Sequence, residues 1–237
     1  MINRSMDAIE RFTFGVARVR WLLAFTRCVI RRSLFSLYDW LACVEGATSA
    51  DLIFALAGRQ SRKISALELF REGGGREMLV SVGRFEIRRF GLLTWPAPVD
   101  LVQAARSVPA SQRHAFVSFS DGAAQIQFIR RRLLGTWTEV AALSEWLHSR
   151  PGIRSAIIIT SGAHLRRVRM CCHFLLPKSR ELSFAAAGGD EPELRRDAWW
   201  RDRSARCVVL AEFPKLALYW TLLQIRTWAM RVRFWQV

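Results

Sequence analysis

Ser161, His164 and Arg167, in the stretch SAIIITSGAHLRRV (155–168), are the most concentrated polar chemistry in the chain. The β-branched run 157–160 stops at Ser161-Gly162, and a polar, arginine-bearing helical pattern begins at once. This reads as a strand, a tight turn and a helix N-terminus. Such a junction leaves backbone N–H groups without intrahelical partners and turns partial positive charge outward, so it suits an anion. His164 and Arg167, three apart, share a helix face, where the guanidinium could clamp phosphate oxygens and the imidazole serve as general acid. The competing reading is an ordinary strand-to-helix junction, with Ser161 as N-cap and solvated arginines. Serine hydrolase chemistry has less support, because Ile159 stands where a nucleophile elbow needs its first glycine and no Asp can be assigned to His164.

The elements that must position these groups can be followed along the chain. Apolar strands are expected at 51–57, 78–82, 114–120, 153–159 and 182–187, with 125–132 either a short strand or a turn. The first strand ends at Gly58 and a helix follows. Gly73-Gly74-Gly75 stops that helix as a left-handed C-cap; it follows a helix and precedes a strand, the reverse of a phosphate-binding fingerprint. The proline-bearing segment 84–113 reads as a lid or a short helix near 99–106. Thr136 and Glu139 match a T-x-x-E capping box opening a helix to about His148. Residues 202–235 read as helical with a break at Pro214. Strands alternating with helices predict a three-layer α/β fold around a parallel sheet, with ligands beyond the carboxyl ends of the strands.

In order, these motifs are a strand ending at Gly58, Arg62-x-x-x-Ala66 opening a helix, a strand ending in Ser81-x-Gly83, a Thr136-bearing helix start, and TSGAHLRR with Thr160, Ser161, His164 and Arg167. The set resembles the bacterial SanA/ElyC/YdcF-like family, a domain of unknown function, over about 50–215. The resemblance implies a Rossmann-like fold with these residues gathered at one edge of the sheet. It also implies a link to cell-envelope or surface-polysaccharide processes for some members, and S-adenosylmethionine binding in YdcF. Gly135 and Glu139 stand where the family usually carries asparagines, and Val82 where it tends to carry glycine. Glu139 has a second reading, as a contact to a ribose.

Composition narrows the partners. The formal charge is +16, and only three of the 36 basic residues are lysines (Lys63, Lys178, Lys215), so the surface attracts phosphates, anionic lipid heads or nucleic acid. The arginines are scattered without a basic-aromatic recognition motif, which disfavours nucleic acid. Five cysteines without framework spacing point to reduced thiols and a cytoplasmic setting. Cys171-Cys172-His173 lacks a second ligand pair, so no metal site is expected. No uncharged apolar run approaches the ~18–20 residues of a spanning helix.

The domain reading is a basic, Trp/Arg-rich helical extension at 1–47, an α/β domain at 48–212 and a basic C-terminal helix at 213–237. The terminal helices either pack on the domain or hold the protein peripherally on an anionic membrane, with Trp21 and Phe25 inserted. The leading functional expectation is binding of a phosphorylated or nucleotide-like anion through Gly58, Arg62, Ser81, Gly83, Thr136, Glu139, Thr160, Ser161, His164 and Arg167, in an envelope process at the inner face of the plasma membrane, with His164 the candidate catalytic group. The alternatives are a cytosolic S-adenosylmethionine or nucleotide binder and a nucleic-acid-binding module.

Overall fold

Alternate residues of the first strand are apolar on both sides, so the strand needs cover on both faces. In the computed structural model, which describes residues 21, 25–46, 48–130, 134–188 and 194–234, that cover is complete. Strand β1 (Ala50–Ala55) lies inside a six-stranded sheet of order β4-β3-β2-β1-β5-β6. Its neighbours are β2 (Gly75–Val82) and β5 (Ser155–Thr160), both parallel to it, and β6 (Glu181–Ala186) continues the parallel run beside β5. The sheet is therefore parallel across four strands. β3 (Ala115–Ser120) and β4 (Ala123–Phe128) extend it antiparallel, joined by a tight turn at Asp121-Gly122 with both residues at positive φ. The residues left open between strand and turn at 125–132 thus include a strand to Phe128.

Helices cover both faces, giving a Rossmann-like three-layer α/β fold. Leu52, Phe54 and Ile158 face a core with Val140 and Leu143 of α5 (Gly135–His148), Leu165 and Val168 of α6 (Leu165–Leu175), and Tyr219 and Leu223 of α8 (Glu212–Phe234). Ile53, Ala55, Ile157 and Ile159 face the other way, onto Ala66 and Leu67 of α2 (Gln60–Arg71), Phe90 of α3 (Ile87–Phe90) and Leu101 of α4 (Leu101–Arg106). The segment 84–113 holds α3 and α4, the latter where a short helix was expected near 99–106. Trp95 stacks between Phe90 and Phe119, with centroids at 4.3 and 5.3 Å, and pins the segment to the sheet.

Local signals fared unevenly. At the end of α2, Gly74 N donates to Leu69 O and Gly73 N to Phe70 O, with Gly73 at φ +81°; this is a Schellman cap. The capping box at Thr136 and Glu139 does not form. Helix α5 follows Leu134 without a side-chain cap, and both side chains are drawn inward by tertiary partners. Nor does Ser161 cap a helix, since its hydroxyl accepts from Arg62 and a 3-10 turn (Gly162–His164) precedes α6. The C-terminal break falls at Ala211, between α7 (Arg203–Leu210) and α8; Pro214 sits in the first turn of α8, where its missing N–H costs nothing.

Two compact units divide the chain, Met1–Trp40 and Leu41–Val237. Helix α1 runs through residues 25–41, and in the first unit Trp21, Phe25, Val29 and Ile30 are exposed. Among the described residues one helical stretch, Arg203–Ala229, is long and apolar enough to cross a membrane, with 28% of its apolar window buried within the protein. Most of the first half of the expected N-terminal extension, residues 1–20, lies outside the described residues, as do residues 189–193.

Candidate functional site

The carboxyl ends of β1, β2 and β5 stand side by side because the chain leaves β1 on one side to reach β2 and returns on the other to reach β5, which makes a topological switch point. Three polar clusters meet there.

The first lies where α2 begins. Gly58 follows β1 with φ +124°, and a Cβ there would meet Arg62 Nη1 at 2.9 Å, so only glycine fits. Gly58 N (2.8 Å) and Gly83 N (3.3 Å) both donate to Glu86 Oε1, while Lys63 Nζ pairs with Oε2. A carboxylate is thus held by two backbone amides from different strand ends and by an ammonium group buried to 4% exposure. Beside it opens a recess of ≈ 80 Å³ lined by Arg59, Gln60, Lys63, Arg89 and Phe90. Arg62 closes the floor: Nε and Nη2 donate to Ser161 Oγ at 3.1 and 3.0 Å, and Nη1 to Ala57 O. The arginine thereby ties the end of β1 to the end of β5.

The second cluster is built on Glu212, the first residue of α8 and fully buried. Arg167 Nε donates to Glu212 Oε2 at 2.8 Å and Nη2 to Oε1 at 3.4 Å, Nη1 donates to Thr136 Oγ1, and the guanidinium lies 5.1 Å from the centre of the Tyr219 ring. Lys215 Nζ reaches Glu212 Oε1 at 3.0 Å. Burial pushes the Glu212 carboxyl upward, but the hydrogen bonds and charges of His164 and Arg167 outweigh it and hold the group well below the usual carboxylate range. His164 Nδ1 lies 3.1 Å from Glu212 Oε1. Burial, with help from the charge on Arg167, lowers the His164 pKa from 6.5 to about 4. A neutral ring can donate from Nδ1 to Glu212 and accept from Arg167 at Nε2, a tautomer inferred from these partners. The arginine fork expected to clamp a ligand phosphate therefore grips a carboxylate of this chain.

Between the two sits Glu139, whose Oε1 accepts from Ala57 N at 2.6 Å and lies 3.9 Å from His114 Nε2. Ser81 Oγ is 2.8 Å from His114 Nε2 and also bonds to Glu139. Burial raises the Glu139 pKa, against the hydrogen bonds from Ser81 and Ala57. Thr160 Oγ1 is buried without a hydrogen-bond partner among the described residues.

All ten positions singled out from sequence thus lie at this edge. Gly58 and Gly83 share the Glu86 carboxylate, Arg62 meets Ser161, Ser81 meets Glu139, Arg167 meets Thr136 and His164, and Thr160 ends β5. Sequence reasoning missed Lys63, Glu86, His114 and Glu212. Two of these carried a signal: Lys63 is one of three lysines among 36 basic residues, and Glu86 follows Gly83 at the three-residue spacing of a local cap. Cys171 and Cys172 pack in the core, where burial pushes the Cys171 thiol up to about 12. No family model matches this chain, and no curated protein or solved structure matches it.

Proposed function

We propose that the protein binds a phosphorylated small molecule at the carboxyl edge of its sheet, with the phosphoryl group entering the cradle of Gly58 N, Gly83 N and Lys63. One observation carries this reading: the cradle already holds an anion, the carboxylate of Glu86, on two backbone amides and a buried lysine. A phosphoryl group offers the same acceptor chemistry with more charge and more oxygens. Glu86 keeps 20% of its side-chain surface in solvent and stands on the short segment leading into α3, so it can swing out without disturbing the sheet. Arg59 and Arg89 at the mouth of the recess supply further positive charge. That charge favours a phosphate over the sulfonium of S-adenosylmethionine.

Titration calorimetry with inorganic phosphate tests the reading. Removing the competing charge in Glu86→Gln should tighten binding about tenfold, or ~1.4 kcal/mol, whereas Lys63→Ala should abolish it. If Glu86→Gln binds no better than wild type, the carboxylate is a structural tie and the cradle takes no ligand.

Peripheral membrane attachment is a second reading, favoured by Leu218, Ile225 and Trp228, which lie exposed on the face of α8 opposite Tyr219 and Leu223. Flotation with anionic and neutral vesicles tests it; binding only to the anionic vesicles, and loss of that binding in salt, is expected.

A further inference from the structure

Two recesses of nearly equal size lie away from the cradle, and their charge differs. The one at the amino edge of the sheet, about 370 Å³, is lined by Arg76 and Arg150 together with Glu77 and Asp121. Its arginines are paired within the protein, Arg76 with Asp51 at 2.7 Å and Arg150 with Glu77 at 3.6 Å. The other, about 360 Å³, lies between α3, α4 and the turn before β3 and is lined by Arg84, Arg88, Arg106 and Arg113 over Ile87 and Ala105. No acidic side chain lines it, and none of its four arginines forms an ion pair among the described residues.

From this contrast we infer that the Arg84–Arg88–Arg106–Arg113 recess is a binding site for a small molecule bearing two or more phosphate groups. Four guanidinium groups around one hollow repel one another, and a multivalent anion relieves that repulsion. Planar forks pair bidentately with phosphate oxygens, and a molecule with two or more phosphates brings enough charge and acceptor edges to engage several of them at once. Arg113 Nε donates to Val108 O at 2.8 Å, and Arg84 stacks on the Phe85 ring at 4.3 Å, so two of the four are held in place before a ligand arrives. The volume lies within the range of small-ligand pockets, and the buried floor of Ile87 and Ala105 can take an apolar body attached to the phosphates. The site is separate from the cradle, since the segment 84–90 turns Glu86, Arg89 and Phe90 toward the recess near Lys63 and Arg84, Ile87 and Arg88 toward this one.

The probe is inorganic tripolyphosphate, titrated by calorimetry into the full chain at fixed ionic strength, beside sulfate and a short single-stranded oligonucleotide. Wild type should bind tripolyphosphate at least tenfold more tightly than sulfate. Arg88→Gln/Arg106→Gln, two exposed positions whose loss leaves the core intact, should weaken that binding at least tenfold while melting within a few degrees of wild type. Arg88→Lys/Arg106→Lys should recover part of it, because the charge returns without the fork. Introduced into Glu86→Gln, the Arg88→Gln/Arg106→Gln pair should leave phosphate binding at the cradle unchanged, so failure here and failure of the cradle are separately visible. Equal binding of tripolyphosphate by wild type and Arg88→Gln/Arg106→Gln overturns the inference. So does an oligonucleotide that binds more tightly than tripolyphosphate and loses as much in that variant, which would assign the recess to nucleic acid.

Discussion

The Glu212 cluster and the Glu86 cradle use the same chemistry, a carboxylate held by a cation and by neutral donors at the ends of parallel strands, yet they differ in how easily the carboxylate can leave. Glu212 is fully buried on the first turn of a long helix, and Arg167, His164 and Lys215 converge on it. Glu86 stands at the start of a four-residue helix, partly in solvent, with one buried cation. The first arrangement locks α8 to α6; in the second a partly solvated carboxylate rests on two backbone amides and one ammonium group. Two acid–base pairs at one edge can therefore serve opposite ends, and burial of the carboxylate decides between them.

The largest effect should come from breaking the lock. Glu212→Gln leaves the Arg167 charge buried without its partner, which typically costs ~3–5 kcal/mol. For a chain of this size that corresponds to a melting temperature lower by roughly 10 °C. Glu86→Gln should cost less, ~1–3 kcal/mol, since its amide oxygen can still accept from the buried Lys63 and its own side chain is partly in solvent. Thermal melts of the two variants side by side check the contrast, and equal losses would remove it.

Acid should undo the lock next. His164 titrates near pH 4 in the folded protein against 6.5 when unfolded. Its folded-state value is depressed, so the unfolded chain binds more protons between those limits and stability falls as pH drops from about 6.5 to 4. The single group can account for up to about 3 kcal/mol across that window. The carboxyl of Glu212, also lowered, adds a loss at more acid pH still, as it protonates. Urea unfolding at pH 7, 6, 5 and 4 measures this. His164→Asn should flatten the slope between 6.5 and 4, and a wild-type profile already flat there would mean that His164 is not the buried neutral partner of Glu212.

How much of this was legible in the sequence follows from the range of each signal. The strands were, because short continuous apolar runs bounded by turn residues depend only on neighbouring residues, and so was the glycine cap after α2. The antiparallel run of β3 beside β2 was not, since that pairing is made at long range, although Asp121-Gly122 carries the local signature of the β3–β4 hairpin. Thr136 and Glu139 illustrate the limit. Their spacing satisfies a local cap, but Arg167, 31 residues from Thr136, and Ala57, 82 residues from Glu139, take the side chains instead. Glu212 offered locally only its i,i+3 pairing with Lys215, because its other partners come from α6 and from the turn preceding it, far away in the chain.

The smallest effect expected is at Glu139, which lies between the two clusters. Its carboxyl is raised by burial, so folding disfavours the ionised form, and any stability tied to the protonated form is lost as pH rises from the ordinary 4.5 through the raised folded value. The slope is thus opposite in sign to that of His164. Glu139→Gln keeps an oxygen to accept from Ala57 N and removes the charge, while its amide can donate to Ser81 Oγ or His114 Nε2. The exchange of one buried hydrogen-bonding group for another of the same shape should change stability at pH 7 by no more than ~1 kcal/mol, in the stabilising direction. Urea unfolding of Glu139→Gln against wild type at pH 5 and pH 7 reads both the size and the slope. A loss of several kcal/mol at pH 7 would make Glu139 an ionised partner of Arg62 and Lys63, and the cradle would then share the locked character of the Glu212 cluster.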